Sequence, residues 1–157
     1  MGDANADRRR LVPLRLTYQP PYDWPALLKF FAARAIPGVD EVDGGSYRRT
    51  FVLARTQGRI SIAPQDGGLA ATLTGTASAD VVTAKLRRLF DLDAPGKQIA
   101  ANLRRDETLK LSLKKRPGLR VPGVWYPFEL GVRAILGQQV SVAAASTLAG
   151  RIATRFG

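Results

Sequence analysis

The chain has 157 residues, 45% of them apolar, and carries 24 lysines and arginines against 13 aspartates and glutamates, a formal charge of +11. That length and composition suit one ordinary domain, or one small domain plus part of another, and exclude a disordered tail. There is no cysteine and no histidine, which excludes disulfides, thiolate and imidazole metal sites, cysteine nucleophiles and Ser-His-Asp triads.

The charge is unevenly placed. Residues 1–77 carry 10 basic and 7 acidic side chains while residues 78–157 carry 14 and 6, so +8 of the +11 lies in the second half. A surplus of that size attracts polyanions, and nucleic acid is the commonest soluble one. No apolar run approaches the roughly 18 residues that span a bilayer. Met1 to Arg10 is small, polar and arginine-rich, unlike a signal peptide. These features predict a cytoplasmic, nucleoid-associated protein with no membrane partner. No metal or cofactor is expected.

Residues 1–10 read as a flexible lead. Leu11 to Tyr18 alternates as a strand. Asp23 is an N-cap with Pro25 in the first turn, opening a helix that runs to about Ala35 and stops at Pro37-Gly38. Its apolar face is Leu27, Leu28, Phe31 and Ala35, with Phe30 and Arg34 on a neighbouring face and Tyr22 and Trp24 as packing residues. Val39 to Val42 is a weak strand before the turn Asp43-Gly44-Gly45. Tyr47 to Arg55 is a strand, and Gln57-Gly58 turns it into Arg59 to Ala63. Gln65 to Gly68 turns again into Leu69 to Thr74. Ser78 caps a helix through Phe90, with Val82, Leu86 and Leu89 inward and Lys85, Arg87 and Arg88 outward. Residues 11–91 therefore read as an α+β fold, an antiparallel sheet of four or five strands with helices on one face.

Residues 92–116 read as short helical pieces with a basic end, Lys114-Lys115-Arg116. The run Pro117 to Gly123 is a proline- and glycine-rich linker and the best domain boundary in the chain. Phe128 to Ser141 then reads as an amphipathic helix, a tight polar break and the start of a second helix, whose inward row is Ala145, Leu148, Ile152 and Phe156. The break holds Gln138 and Gln139 between Gly137 and Ser141. A polar tip on a rigid helix-turn-helix suits the probing of a base stack. By residue type alone a solvated helix end is the commoner reading.

Five ordered blocks carry a family resemblance: Tyr18 to Trp24, Phe31 to Ala35, Arg88 to Leu92, Arg116 to Gly123, and Gly131 to Ser141. Together they resemble the AlkA-type 3-methyladenine DNA glycosylases II, of the helix-hairpin-helix superfamily, over roughly residues 14–157. Similar sequences also occur fused to Ada-type domains. The resemblance implies hydrolysis of the N-glycosidic bond of alkylated bases in base excision repair. It also implies an N-terminal α+β domain like half of a TATA-binding protein, over residues 11–116, and the start of an all-α glycosylase domain over residues 117–157.

By the same resemblance Gln139 is the wedge that fills the gap left by a flipped base, with Gln138 beside it. Phe30 and Arg34 lie by the base pocket, where an aromatic ring attracts a cationic alkylated base. Lys114, Lys115 and Arg116 are candidate contacts to the DNA backbone. The partner implied is double-stranded DNA with alkylated bases, alongside a C-terminal half or a fused Ada-type domain.

The resemblance is incomplete. No helix-hairpin-helix signature follows, and no aspartate takes the position after it. Asp91, Asp93 and Asp106 precede the helical part and match nothing catalytic. Glycosidic hydrolysis needs a carboxylate near the developing oxocarbenium, so no catalytic residue is assigned and these 157 residues alone are expected to bind DNA weakly without catalysis. Two helices cannot fully cover each other, so some of Ile135, Leu148 and Ile152 should be exposed. The alternatives from the residues are a non-catalytic basic DNA-binding module, and an RNA- or ribosome-associated α+β protein.

Overall fold

The computed structural model describes residues 11–157, and the flexible lead expected over 1–10 lies outside them. Among the described residues the order is β1 (Leu11–Leu16), α1 (Trp24–Ala32), β2 (Asp40–Asp43), β3 (Ser46–Leu53), β4 (Thr56–Gln65), β5 (Gly68–Gly75), α2 (Ala79–Leu89), α3 (Gly96–Leu103), α4 (Glu107–Lys115), α5 (Pro127–Leu136) and α6 (Val142–Phe156). No helix among them is long and apolar enough to cross a membrane.

The strands form one antiparallel sheet in the order β1-β5-β4-β3-β2. The register aligns Val42, Tyr47, Ile62, Ala71 and Leu14 across the sheet, and beside them Arg49, Ile60, Leu73 and Val12. Because side chains alternate in direction along a strand, these rows share one face. That face meets Trp24, Leu27, Leu28 and Phe31 of α1 and Val82, Leu86 and Leu89 of α2 in a single buried cluster. The other face carries exposed Arg48, Thr50, Arg59 and Thr72. The fold is thus the expected α+β arrangement with helices on one face. Phe90 is fully buried at the centre, with ring centroids 5.3 Å from Trp24, 5.6 Å from Phe31 and 5.6 Å from Tyr47. Each such side chain contributes about 1.5–3 kcal/mol by leaving water.

Local chemistry explains the helix ends. The Asp23 carboxylate accepts from the Ala26 N–H at 3.0 Å, and Pro25 occupies the first turn. The helix ends at Ala32, about a turn before the expected Ala35. The Ile36 N–H donates to the Asp40 carboxylate at 2.7 Å instead of continuing the ladder, and the following Pro37 disfavours a helical Ile36. Ile36 is buried in Ala35's place, while Ala35 is only half-buried. Ser78 stands at the N-cap of α2 without a side-chain cap bond. Of the outward set on α2, Lys85 is half-buried, its ammonium donating to the Trp125 carbonyl at 3.1 Å. Arg87 is also half-buried and pairs with Asp93.

One hairpin differs from expectation. The turn between β3 and β4 falls at Ala54-Arg55, both with positive φ (47° and 69°), while Gln57-Gly58 lies inside β4. Gly58 sits directly across from Phe51, and a Cβ there would stand 2.4 Å from Phe51 Cζ and 2.8 Å from the Thr74 carbonyl oxygen. The glycine makes room for a cross-strand ring rather than for a turn.

Residues 117–126 lie flat against the sheet-and-helix unit. The Asp23 N–H donates to the Gly118 carbonyl at 2.9 Å, and the Gly123 N–H to the Leu89 carbonyl at 2.9 Å. Arg120 is buried, its guanidinium donating to the carbonyls of Ala94, Gln19 and Pro21 at 2.9, 2.7 and 3.3 Å. Trp125 inserts into the core beside Phe51. The helices α3 and α4 pack on each other and bury no side chain, leaving Ile99, Leu103, Leu109 and Leu111 exposed.

The helices α5 and α6 pack on each other, with their apolar residues largely uncovered. Ile135 is 72% exposed, and Ile152 and Phe156 are exposed too, with Leu148 half-buried. The row expected to point inward on α6 is therefore not the buried one. Ala149 and Gly150 are buried instead, where Gly150 meets Pro37 so closely that a Cβ would lie 3.1 Å from Pro37 Cδ. Small residues allow that close approach, which the hydrophobic row could not make.

Candidate nucleic-acid interface

The turn between α5 and α6 is short and well capped. Gly137 closes α5 with its N–H on the Arg133 carbonyl at 2.9 Å, and the Gln138 N–H reaches the Ile135 carbonyl at 3.3 Å. Ser141 opens α6, its hydroxyl accepting from the Ala144 N–H at 3.2 Å. Gln138 and Gln139 are both exposed at this tip, with Val140 beside them. A two-glutamine projection on capped helices presents amide donors and acceptors with little backbone freedom to lose.

Phe30 and Arg34 lie together at the end of α1. The Arg34 guanidinium stands 4.0 Å from the centroid of the Phe30 ring, and Phe30 retains 38% of its surface exposed. Arg34 has left the helix: its N–H bonds the Phe31 carbonyl in the following turn. The Arg34 carbonyl accepts from the Arg133 guanidinium. Because the Arg133 carbonyl in turn closes α5 at Gly137, one residue links the Phe30–Arg34 patch to the glutamine tip.

Arg133 belongs to a polar seam between α5 and the sheet. Arg49, on the covered face of β3, places Nη2 2.7 Å from Glu129 Oε2 and Nη1 3.3 Å from the Tyr47 hydroxyl. Glu129 Oε1 lies 3.1 Å from Arg133 Nη2, which is 3.7 Å from Asp40 Oδ1. Tyr47 donates its hydroxyl to Asp40 Oδ2 at 3.0 Å. Burial pushes the Asp40 carboxyl above the usual carboxylate range, against the pull of the Ile36 N–H and the two arginines. Burial likewise raises the Tyr47 hydroxyl. At the start of α5, the Tyr126 hydroxyl accepts from the Val52 N–H at 3.0 Å and donates to the Val52 carbonyl.

The basic residues at the end of α4 divide. Lys114 and Lys115 are exposed in its last turn, where cations also favour the helix dipole. Arg116 caps that helix and pairs with Asp23 at 3.2 Å, tying the end of α4 to the start of α1. A cavity of about 990 Å³ lies between β3–β4 and α5–α6 and is lined by Phe51, Val52, Tyr126, Val132, Ile152 and Phe156 among others. None of the sequence-predicted site residues lines it. Among the described residues no group of three or more His, Cys, Asp or Glu could hold a metal ion.

Sequence reasoning passed over the seam. The signals were present: strand alternation puts Arg49 on the same side as Tyr47 and Phe51, and Glu129 and Arg133 stand four apart on a helix. A charged residue between two aromatics reads as exposed unless the alternation is followed strictly.

Comparison with known proteins gives similarities over most of the chain. The family model described as the AlkA N-terminal domain matches residues 13–126. The chain is 39% identical over 148 residues to a probable bifunctional transcriptional activator/DNA repair enzyme AlkA of Mycobacterium tuberculosis, covering 93% of this chain and 30% of that protein. It is 38% identical over 146 residues to DNA-3-methyladenine glycosylase 2 of Escherichia coli, covering 90% of this chain and 50% of that protein. A solved 3-methyladenine DNA-glycosylase from Archaeoglobus fulgidus superposes with a TM-score of 0.77 at 26% identity, over 92% of this chain and 50% of that one. The chain thus spans half or less of the length of these relatives. It belongs to the AlkA N-terminal domain family.

Proposed function

We propose that these 157 residues form the N-terminal part of a DNA-3-methyladenine glycosylase II that acts in base excision repair of alkylated DNA. Residues 11–116 serve as its α+β domain with a helical connector, and residues 117–157 begin its helical glycosylase domain. Duplex DNA is the partner, met at the cytoplasmic nucleoid, with a C-terminal helical half or an Ada-type domain as the protein partner.

The single observation that carries this reading is the exposed, capped Gln138–Gln139 tip, joined through Arg133 to the exposed Phe30 and the half-buried Arg34. Flipping a base costs a few kcal/mol, and a side chain that enters the vacated stack offsets part of it. Gln139 fills that role, and its amide can bond the orphaned partner base, with Gln138 alongside. Phe30 faces the extruded base, whose positive charge favours the ring, and Arg34 shapes the rim. Lys114 and Lys115 meet the phosphates. Arg116 contributes there only from its pairing with Asp23.

The chemistry of base release is a separate matter. Asp40 and Glu129 are engaged by arginines in the seam, and hydrolysis needs a carboxylate facing the sugar. The 157-residue chain is therefore expected to bind and unstack duplex DNA while releasing little 3-methyladenine.

The test is a duplex with 2-aminopurine beside an abasic or alkylated site, titrated over a salt series. The expected result is a fluorescence rise on binding that Gln139→Ala abolishes, with log K falling by about 0.9 per phosphate contact for each decade of salt. Equal affinity for single-stranded RNA, or a fluorescence rise that Gln139→Ala leaves intact, would refute the wedge.

A further inference from the structure

The helix α5 is attached in an uncommon way. None of its residues is buried, so it is not held by an apolar stripe in the manner of most surface helices. Its polar contacts with the body of the fold come from Tyr126 at its N-cap and from Glu129 and Arg133. The spacing of four puts Glu129 and Arg133 on one face of the helix. Tyr126 bonds both backbone groups of Val52, Glu129 meets Arg49, and Arg133 reaches Asp40 and the Arg34 carbonyl.

The inner members are firmly seated. The Arg49 side chain is 2% exposed and that of Asp40 4%. Arg49 lies 5.2 Å from the Trp125 ring and 5.9 Å from that of Tyr126. Asp40 is fixed by the Ile36 N–H and the Tyr47 hydroxyl. Buried ion pairs add little net stability compared with a well-packed apolar replacement, because desolvation offsets the attraction. What they add is direction. A planar guanidinium and a carboxylate tolerate a narrow range of angles, whereas an apolar contact of similar area lets a helix roll or slide. Arg133 is also the residue whose carbonyl closes α5 at Gly137, so the seam acts within one turn of the tip.

We propose that Arg49, Asp40, Glu129 and Arg133 form a positioning seam that sets the angle of α5 and so holds the Gln138–Gln139 tip in register with Phe30 and Arg34. The functional half of this inference rests on the wedge reading above. These four are positioning residues: they act through the tip and need not touch DNA.

The absence of cysteine from the chain gives a clean test. Lys29→Cys on α1 and Val140→Cys at the tip, both exposed, carry spin labels whose separation is read by pulsed dipolar spectroscopy. The parent should give a narrow distance distribution. Arg49→Met and Glu129→Gln should broaden or shift it, with far-ultraviolet circular dichroism retained. Arg49→Lys, which keeps the charge and loses the fork, should also broaden it; a purely Coulombic contact would leave it narrow. Glu129 lies at the rim of the seam, so Glu129→Gln decides the matter if Arg49→Met fails to fold.

The unlabelled seam variants are then bound to the 2-aminopurine duplex. Loss of the fluorescence rise, with duplex affinity retained, supports the whole inference. If the distances broaden but neither Gln139→Ala nor the seam variants alters the fluorescence, the wedge is overturned and the mechanical seam is upheld. Folded Arg49→Met and Glu129→Gln proteins with an unchanged narrow distribution overturn the seam itself.

Discussion

Replacing Gly58 with alanine should destabilise the protein through Phe51, and the size of the effect follows from the register. The two residues face each other across β3 and β4, and the new methyl would stand 2.4 Å from Phe51 Cζ and 2.8 Å from the Thr74 carbonyl oxygen. Trp125, at a centroid distance of 5.6 Å, limits the ring's retreat on one side, while the cavity that the ring lines leaves room on another. Overpacking of this kind costs about 1–3 kcal/mol. Removing a strand glycine returns about 0.5–1 kcal/mol. The net loss is about 0.5–2 kcal/mol, or a fall in Tm of about 1–8 °C for a chain of this size. Urea unfolding followed by tryptophan fluorescence measures it, since Trp125 adjoins the site. Phe51→Leu shortens the opposing side chain, so Gly58→Ala should cost less in that background, with a coupling of at least about 0.5 kcal/mol. The Thr74 carbonyl keeps the rescue partial. A neutral Gly58→Ala, or costs that simply add, would refute the argument and return Gly58 to an ordinary strand position.

Three further outcomes are expected. Arg120→Met should cost at least about 2 kcal/mol, read as a lowered urea midpoint, because it strips donors from three backbone carbonyls in a part-buried site. Asp23→Ala should cost about 0.5–2 kcal/mol by loss of the cap, while Asp23→Asn keeps most of the cap and isolates the weak Arg116 pair. Burial raises the hydroxyls of Tyr22 and Tyr47 above the ordinary 10.0. The folded state therefore keeps protons that the unfolded state gives up, so stability should hold below pH 10.0 and fall as the pH rises past it. Tyrosinate absorbance should show these two ionising only as circular dichroism is lost, and all four tyrosines titrating in a folded protein would contradict this.

The parts of the fold that could be read in advance are those governed by local chemistry. Asp23 with Pro25 marked α1, Gly44-Gly45 and Asp66-Gly67 marked their hairpins, and the spacing of Val82, Leu86 and Leu89 marked the covered face of α2. The missed hairpin turn has no such mark, since Ala54 and Arg55 adopt positive φ without glycine, and a nearby glycine serving Phe51 drew the assignment away. On α6 the larger apolar residues pointed to the wrong face, because the contact with Pro37 demands small side chains. The glutamine tip could be placed from sequence to within a residue or two. Its attachment could not, because the seam joins Asp40 and Arg49 of one hairpin to Glu129, 80 residues beyond Arg49, and depends on how α5 lies across the sheet.

The Tyr126 hydroxyl has a consequence for how these molecules behave in a crowd. Strand β2 pairs with β3 as far as Arg49, and the Thr50 N–H still reaches the Val39 carbonyl, so beyond Thr50 that edge would present the free N–H and carbonyl of the half-exposed Val52. An unpaired strand edge is a template for the edge of another molecule. By bonding both groups of Val52, Tyr126 takes the place a neighbouring strand would occupy. Losing that one hydroxyl, as in Tyr126→Phe, would leave the core intact and give the sheet a sticky margin, making the chain prone to self-association at high concentration.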